Sequence, residues 1–227
     1  MTESNPPANT QSDYLSQISQ IMYQHADIII ILLSCIIFLL NLGGNGLWDP
    51  WETHYAQVVR EMIIRDDYVH PHWESSYFFS KPILQFWYMA LSFQIFQVNP
   101  HIGSFEFAEW AVRLPFALTA IIGVYGSFVL LKKIFDVSIA FASSVILLTS
   151  PQFIYLGKQA MPDILFGVYT ALAILIVILL IKYHIENSEY LLTIPSLLSK
   201  TTTSILVLAV SIPQYYILAK ASEYGQI

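Results

Sequence analysis

The chain has 227 residues, of which 56% are hydrophobic and only 11% are charged. This composition is more apolar than that of an ordinary soluble domain and predicts a membrane protein. The net charge of −6, without any basic run, argues against a nucleic-acid partner, and the single Cys35 excludes an internal disulfide.

The N-terminal residues are polar and contain no Lys or Arg, so they lack the basic region of a signal peptide. We interpret residues 1–24 as a disordered tail that precedes a first transmembrane helix at residues 25–48. Residues 49–112 then form a loop rich in charged and aromatic side chains. Further transmembrane helices occupy residues 113–227.

Five uncharged runs are long enough to cross a bilayer, which takes about 20 residues. They are Ile28–Trp48, Leu114–Leu131, Val137–Gly157, Ile164–Ile181 and Thr201–Ala219. This pattern predicts an all-α fold, a polytopic membrane protein with about five transmembrane helices. Its first loop is expected to be extracytoplasmic and to carry interfacial helices.

The segment Pro82–Val98 decides the topology. It is apolar enough to span, but its aromatic side chains and its Gln residues are typical of a helix in the membrane interface. If it lies flat, one side of the membrane carries Asp49, Glu52, Lys81, Arg113 and Asp163. The opposite side then carries Lys132, Lys133 and Lys182. We favour this arrangement because it gathers the charged groups into one possible site.

A short amphipathic helix begins the loop. Its apolar residues recur at helical spacing and lie on one face of the helix; they are Tyr55, Val58, Val59, Met62 and Ile63. The helix start has the pattern of a capping box, with Asp49 as N-cap, Pro50 at the first helical position and Glu52 at the third.

The two carboxylates of this helix start have two possible roles. Asp49 and Glu52 can serve only to cap the helix, or one of them can act as a general base. The roles are compatible, because the helix dipole favours negative charge at this end. The sequence alone leaves both open.

Four pieces of the chain resemble, in order and spacing, the first periplasmic loop of the lipid-dependent GT-C glycosyltransferases. They are W-E-T-H-Y-A-Q-V-V-R-E-M at 51–62, Y-V-H-P at 68–71, F-F-S-K-P-I-L at 78–84 and R-L-P at 113–115. The aminoarabinose transferase and protein O-mannosyltransferase group is the most similar. The resemblance covers about residues 30–180, the N-terminal part of a family member. We therefore expect the chain to be a piece of a longer enzyme.

The resemblance implies a multi-pass enzyme of the plasma (inner) membrane. It would move a sugar from a polyprenyl-phosphate carrier to a lipid or protein acceptor outside the cytoplasm, among membrane lipids. Lys81 and Arg113 are expected to bind the donor phosphate, because a nearby cation stabilises the charge of the leaving group. The catalytic candidates are Asp49, Glu52 and Asp163. We favour Asp49 as the base and Glu52 as the residue that orients the acceptor.

Three positions depart from the family pattern. Trp51 stands where the family has Asp, His54 where it has Arg, and Ser80 where it has Glu. Asp49, two residues before Trp51, can substitute for the missing aspartate. The departures at Trp51 and Ser80 slightly favour an alternative function, namely a non-catalytic membrane paralogue or a transporter or binding subunit that keeps the loop as a binding surface. The retention of Lys81, Arg113, Glu52 and Asp163 favours the transferase more strongly.

The loop histidines raise the possibility of a divalent metal ion. His54, His70 and His72 are candidates for metal or acceptor contacts, since histidine is a common metal ligand. Their spacing matches no strong zinc motif such as H-E-x-x-H, and loop histidines are more often hydrogen-bonded. No other cofactor is expected.

Overall fold

The computed structural model describes residues 23–74, 76–98 and 108–186. Within these ranges the chain is mostly helical, as predicted. The helices are α1 (Ala26–Leu39), α2 (Trp51–Arg65), α3 (Ile83–Ile95), α4 (Ala108–Ile134), α5 (Val137–Thr149), α6 (Pro151–Gly157) and α7 (Pro162–Glu186). A short antiparallel hairpin of β1 (His72–Trp73) and β2 (Ser76–Tyr77) lies between α2 and α3, with His72 opposite Tyr77.

Two of the described helices, α4 and α7, are long and apolar enough to cross a membrane. A third span is possible if α5 and α6 are taken together, although the chain bends by 68° between them. The prediction of an all-α polytopic membrane protein is confirmed, while the number of five spans stays a prediction. The tail at 1–22 and the run Thr201–Ala219 lie outside the described residues.

The first and third predicted spans have the wrong boundaries. Helix α1 ends at Leu39 rather than at Trp48, because Asn41 adopts a left-handed φ of 55° and a glycine-rich stretch follows. The run Val137–Gly157 is broken at Ser150, since Pro151 has no N–H to continue the helical hydrogen bonds of α5. Both breaks lie at the same end of the bundle.

The opposite end of the bundle is marked by lysines. The Lys132 ammonium lies 2.7 Å from the Asp27 carboxylate, which joins the end of α4 to the start of α1. Lys182 near the end of α7 donates to the Ile134 carbonyl at 2.7 Å. Lys132, Lys133 and Lys182 therefore share one end, as the sequence predicted.

The amphipathic face of α2 is confirmed, and it packs on α3. Tyr55, Val58, Val59 and Met62 are buried. The Tyr55 ring meets the Phe86 ring edge-on at a centroid distance of 6.2 Å. Burial of this apolar stripe holds α2 beside the bundle.

Helix α3 packs along the loop and is held to it by hydrogen bonds. With 13 residues it is about 20 Å long, shorter than the ~30 Å hydrocarbon core of a bilayer. Trp87 Nε1 donates to the Tyr68 carbonyl at 2.7 Å, and Gln94 Nε2 donates to the Tyr68 hydroxyl at 3.0 Å. Two residues that lie two turns apart thus contact one loop residue. The position of α3 in the membrane interface stays a prediction.

Cysteine labelling tests whether α3 crosses the membrane. In a Cys35→Ala background, Ser76→Cys before α3 and Gln97→Cys after it should react with an impermeant maleimide from the same side, because both positions are exposed on one end of the bundle. Ser138→Cys, at the opposite end, is the control and should react only from the other side. Labelling of positions 76 and 97 from opposite sides would contradict the arrangement.

Candidate functional site

A buried ion pair lies at the centre of the loop end. Glu52, in the first turn of α2, has a side chain that is 0% exposed, and Arg113 of α4 has one that is 7% exposed. Arg113 donates from Nε to Glu52 Oε1 at 2.9 Å and from Nη2 to Oε2 at 2.7 Å. The planar guanidinium thus meets the carboxylate with two parallel hydrogen bonds, the geometry that gives such pairs their strength and specificity.

Every remaining polar atom of this pair has a partner. Glu52 also accepts the backbone N–H of Trp48 and that of Ala160, both at 2.8 Å. The other Arg113 donors meet three carbonyls in the loop after α1, those of Leu42 (3.0 Å), Asn45 (2.8 Å) and Gly46 (2.8 Å). The pair therefore joins α2, α4, the loop after α1 and the turn before α7.

The polar atoms of Glu52 and Arg113 that were predicted to contact substrate already have partners within the chain. Glu52 was expected to orient the acceptor and Arg113 to bind the donor phosphate. All five Arg113 N–H groups are occupied and the Glu52 carboxylate accepts four hydrogen bonds, so a direct contact with substrate would have to displace one of them. In this structure both side chains bind other parts of the chain, and their roles toward a substrate stay predictions.

The predicted capping box is wrong. Helix α2 begins at Trp51 with Pro50 as its N-cap, and no side chain caps it. Asp49 Oδ1 instead accepts the Thr53 hydroxyl at 2.8 Å. Glu52 still reaches back to a backbone N–H, but to that of Trp48, because its carboxylate is drawn inward by Arg113.

The two aspartates flank the buried pair and stay in solvent. Asp49 precedes Glu52 by one turn and is exposed, and its Oδ2 has no hydrogen bond to the residues that the structure describes. Asp163, also exposed, follows Ala160, whose N–H binds Glu52. Burial, with the charge of Asp163 as the second cause, raises the pKa of the Tyr55 phenol. Asp163 thus lies near α2 as well.

Lys81 stands at the start of α3, on the same end of the bundle. Its side chain is half-buried and forms no hydrogen bond or ion pair with the described part of the chain. The Phe78 and Phe86 rings, 6.0 Å apart, connect the segment around Lys81 to the α2–α3 contact. A Lys whose ammonium has no partner among the described residues is available to an anionic ligand.

The three loop histidines do not converge. The His54 ring lies between Trp73 and Phe78 at centroid distances of 4.3 and 4.6 Å. His70 Nδ1 lies 3.1 Å from Asp67 Oδ2, and His72 Nδ1 lies 2.7 Å from the His70 carbonyl. Within the described ranges no three His, Cys, Asp or Glu side chains form a group that could hold a metal ion. The predicted metal contacts therefore do not fit these residues.

A cavity of about 750 Å³ lies beside the ion pair and shows a residue that the sequence analysis missed. Lys158 lines it together with Trp48, Arg113 and Gln159. A signal was present in the sequence, because Lys158 directly follows an apolar run and precedes Asp163 by five residues. The unpredicted bend before α6 brings it here.

The fold and site define a helical membrane protein whose polar groups meet at one end of its bundle. A model of the family described as dolichyl-phosphate-mannose-protein mannosyltransferase matches residues 80–224, more than half of the chain. The chain belongs to this family.

Individual relatives share shorter segments. An undecaprenyl phosphate-alpha-4-amino-4-deoxy-L-arabinose arabinosyl transferase of Pseudomonas fluorescens is 31% identical over 101 residues, which cover 44% of this chain and 17% of the relative. The corresponding transferase of Pectobacterium atrosepticum is 39% identical over 64 residues, 28% of this chain and 12% of the relative. The matched segments thus span less than a fifth of these proteins.

A solved structure shares the fold. It is the crystal structure of ArnT from Cupriavidus metallidurans bound to undecaprenyl phosphate. The TM-score is 0.53 at 22% identity, and the superposition covers 60% of this chain and 24% of the other. The fold of this part of the chain is therefore found in a second protein.

Glu52→Gln should destabilise the protein, contrary to what a capping role predicts. It would leave the Arg113 charge buried without a counter-charge, a loss of about 3–5 kcal/mol for such pairs. Thermal unfolding of the purified protein in detergent measures the change. Asp49→Asn, on the exposed side of the same helix start, is the matched control and should unfold like wild type. Equal midpoints for Glu52→Gln and wild type would refute a structural role of the pair.

His54 should make the α2–hairpin contact sensitive to pH. Burial between aromatic rings lowers its pKa below the ordinary 6.5, against the opposing charge of Glu74. The folded state therefore favours neutral His54, while the unfolded chain takes up a proton below about pH 6.5. Stability from this group is complete above pH 6.5 and falls as the pH drops below it.

Unfolding midpoints at pH 5.5 and 7.5 test this effect. His54→Phe keeps a ring between Trp73 and Phe78 but cannot be protonated, so the difference between the two midpoints should shrink. His184→Phe, an exposed histidine near the end of α7, is the control and should keep it. The same pH dependence in wild type and His54→Phe would show that His54 is not responsible.

Proposed function

We propose that the protein is a membrane glycosyltransferase that moves a sugar from a polyprenyl-phosphate donor to an acceptor outside the cytoplasm. The observation that carries the proposal is the buried Glu52–Arg113 pair, which joins the segments that carry two exposed aspartates, at the end of the membrane bundle where Lys81 also lies. Family membership and the relatives' printed names, which specify undecaprenyl phosphate, support the same chemistry.

Asp49 is the proposed general base. Its carboxylate is exposed, and Oδ2 is free to accept the proton of an acceptor hydroxyl, while Thr53 holds Oδ1 in place. The acceptor oxygen then forms a bond to the anomeric carbon of the donor sugar as the bond from that carbon to the phosphate oxygen breaks. A direct displacement of this kind inverts the anomeric centre. Asp163, on the other side of Glu52, orients the acceptor.

Lys81 is the proposed cation for the leaving group. The departing polyprenyl phosphate gains negative charge as the glycosidic bond breaks, and an ammonium group close to it lowers the energy of that transition state. Arg113 contributes indirectly, because its hydrogen bonds fix the position of the loop after α1 relative to Glu52. No step of this scheme requires a metal ion.

The sidedness follows from the same assignment. The end of the bundle that carries Asp49, Lys81 and Arg113 faces the exterior of the plasma (inner) membrane, and the end with Lys132 and Lys182 faces the cytoplasm. The acceptor is a lipid or protein that reaches the outer surface.

A binding function without transfer is the second candidate. It is favoured by Trp51, which is 48% exposed where the family has Asp, and by Ser80, which replaces the family's Glu. In that case the same loop would bind the lipid phosphate but would not break the glycosidic bond. Binding and transfer assays on one preparation distinguish the two functions.

Asp49→Asn should abolish transfer without loss of folding. The protein is reconstituted in liposomes with a polyprenyl phosphate carrying a radiolabelled sugar and with membrane extract as acceptor. Loss of a general base lowers the rate by roughly two to four orders of magnitude. Lys81→Met should lower it as well, while Asp66→Asn, at the far end of α2, is the matched control and should not.

The possible outcomes separate the assignments. Normal transfer by Asp49→Asn with an inactive Asp163→Asn would move the base to Asp163. Binding of polyprenyl phosphate by wild type, without transfer to any acceptor, would support the binding function. Wild type that neither binds the lipid phosphate nor transfers sugar would reject both.

A further inference from the structure

A proline interrupts the hydrogen bonds of α4 close to the buried ion pair. Pro115 lies inside this helix, two residues after Arg113. Because proline has no N–H and its ring crowds the carbonyl four residues before it, the Ala111 carbonyl loses its usual helical partner. Ala111 is fully buried, so water cannot easily take the place of that partner. The turn that carries Arg113 therefore needs a hydrogen-bond donor from outside α4.

A serine of α3 supplies this donor. The Ser92 hydroxyl donates to the Ala111 carbonyl at 2.6 Å, and both residues are buried. Hydroxyl side chains are one of the means by which membrane helices satisfy a carbonyl that proline has freed. A hydrogen bond within α4 is thus replaced by one between α4 and α3.

The other two buried serines in the described part of the chain have partners of a different kind. Ser34 donates to the Ile30 carbonyl at 2.6 Å, four residues back in its own helix. Ser144 donates in the same way to the Ala140 carbonyl at 2.8 Å. Such contacts with the preceding turn join no second element to the helix. Ser92 therefore differs from them in its partner and not in its burial.

A second hydrogen bond joins α3 to the bundle one turn before Ser92. The hydroxyls of Tyr88 and Tyr169 lie 2.9 Å apart, which links α3 to α7. The Thr119 hydroxyl is a further partner of Tyr169, and it also contacts the Pro115 carbonyl at 2.8 Å. Because residues four positions apart share one helical face, the two contacts of α3 lie on the same side of that helix. This face of α3 thus connects to both sides of the proline break.

We propose that Ser92 is a positioning residue that fixes α3, and with it Lys81, relative to the turn of α4 that carries Arg113. The inference rests on the proposed function, which assigns Lys81 to the leaving group. Lys81 comes two residues before the start of α3, and Arg113 comes two residues after Ala111. The Ser92 contact therefore connects the helix that follows Lys81 to the helix that carries Arg113. A shift of α3 on α4 would move the Lys81 ammonium away from the departing phosphate, and a displacement of about 1 Å can lower a rate about a hundredfold.

Two substitutions separate this positioning role from the mere need for a hydrogen-bond donor. Ser92→Ala leaves the buried Ala111 carbonyl without the hydroxyl, so the unfolding midpoint should fall by about 2–4 °C or more. The further change Pro115→Ala restores an N–H within α4, so the double variant should recover most of this loss. It does not restore the contact between α3 and α4.

Transfer and an internal distance report the position of α3. In the liposome assay, the rate at saturating donor should fall about tenfold to a hundredfold in Ser92→Ala and stay low in the double variant. Spin labels are placed at Leu84→Cys and Ser138→Cys in a Cys35→Ala background, since both label positions are exposed and lie at opposite ends of the bundle. The distance distribution between them, measured by pulsed electron paramagnetic resonance, should broaden in both variants.

Ser144→Ala is the matched control. Its hydroxyl binds the preceding turn of α5, where no proline has removed a backbone donor, so transfer and the distance distribution should stay as in wild type. If Ser92→Ala fails to fold, the double variant is compared with Pro115→Ala alone, because these two proteins differ only in the serine hydroxyl.

The outcomes distinguish the role of Ser92 from the proposed function. Recovery of both transfer and the narrow distance distribution in the double variant would show that Ser92 only satisfies a carbonyl, and would overturn the proposal. An unchanged distribution in Ser92→Ala would overturn it too. A wild type that transfers no sugar, together with a distribution that broadens in Ser92→Ala and in the double variant, would reject the proposed function and support the role of Ser92 in holding α3.

Discussion

The loop end of this protein depends on one buried ion pair. Removing a carboxylate and a guanidinium from water costs several kcal/mol for each ion, and their attraction offsets that cost only where the remaining donors and acceptors are also satisfied. Glu52 and Arg113 meet this condition, because each partner of the pair binds backbone groups as well as the other. Because the buried charges require all of these hydrogen bonds, they constrain the relative positions of four chain segments, namely α2, α4, the loop after α1 and the turn before α7.

This constraint explains how a site can form from short and irregular segments. The loop after α1 is irregular, and three of its carbonyls, those of Leu42, Asn45 and Gly46, accept hydrogen bonds from Arg113. The turn before α7 is held by the Ala160 N–H on Glu52. Side chains on either side of these contacts stay exposed, which is where substrate can reach them. The charges of Glu52 and Arg113, whose hydrogen-bonding groups all have partners, hold the chain segments together. The exposed charged side chains beside them keep free hydrogen-bonding groups for ligands.

The sequence predicted the elements that follow from local patterns. The spacing of apolar residues gave α2 and its buried face, long apolar runs gave α4 and α7, and the lysines fell at one end as expected. The helix breaks were missed, because hydropathy averages over Asn41 and Pro151 and does not register their backbone restrictions. Where the chain bends, tertiary hydrogen bonds decide the conformation.

The same limit applies to the site. The motifs identified Glu52 and Arg113 as important, but no sequence pattern states that a carboxylate and a guanidinium 61 positions apart bind each other. A phosphate ligand and a buried partner place similar demands on an arginine, namely two acceptors in one plane. Lys158 was missed for the opposite reason, since a lone lysine after an apolar run is usually an interfacial anchor. Its placement beside the pair follows from the bend at Pro151, which turns the end of the apolar run back toward Leu40 and away from a straight continuation of α5. One proline thus converts an anchoring residue into part of a cavity wall.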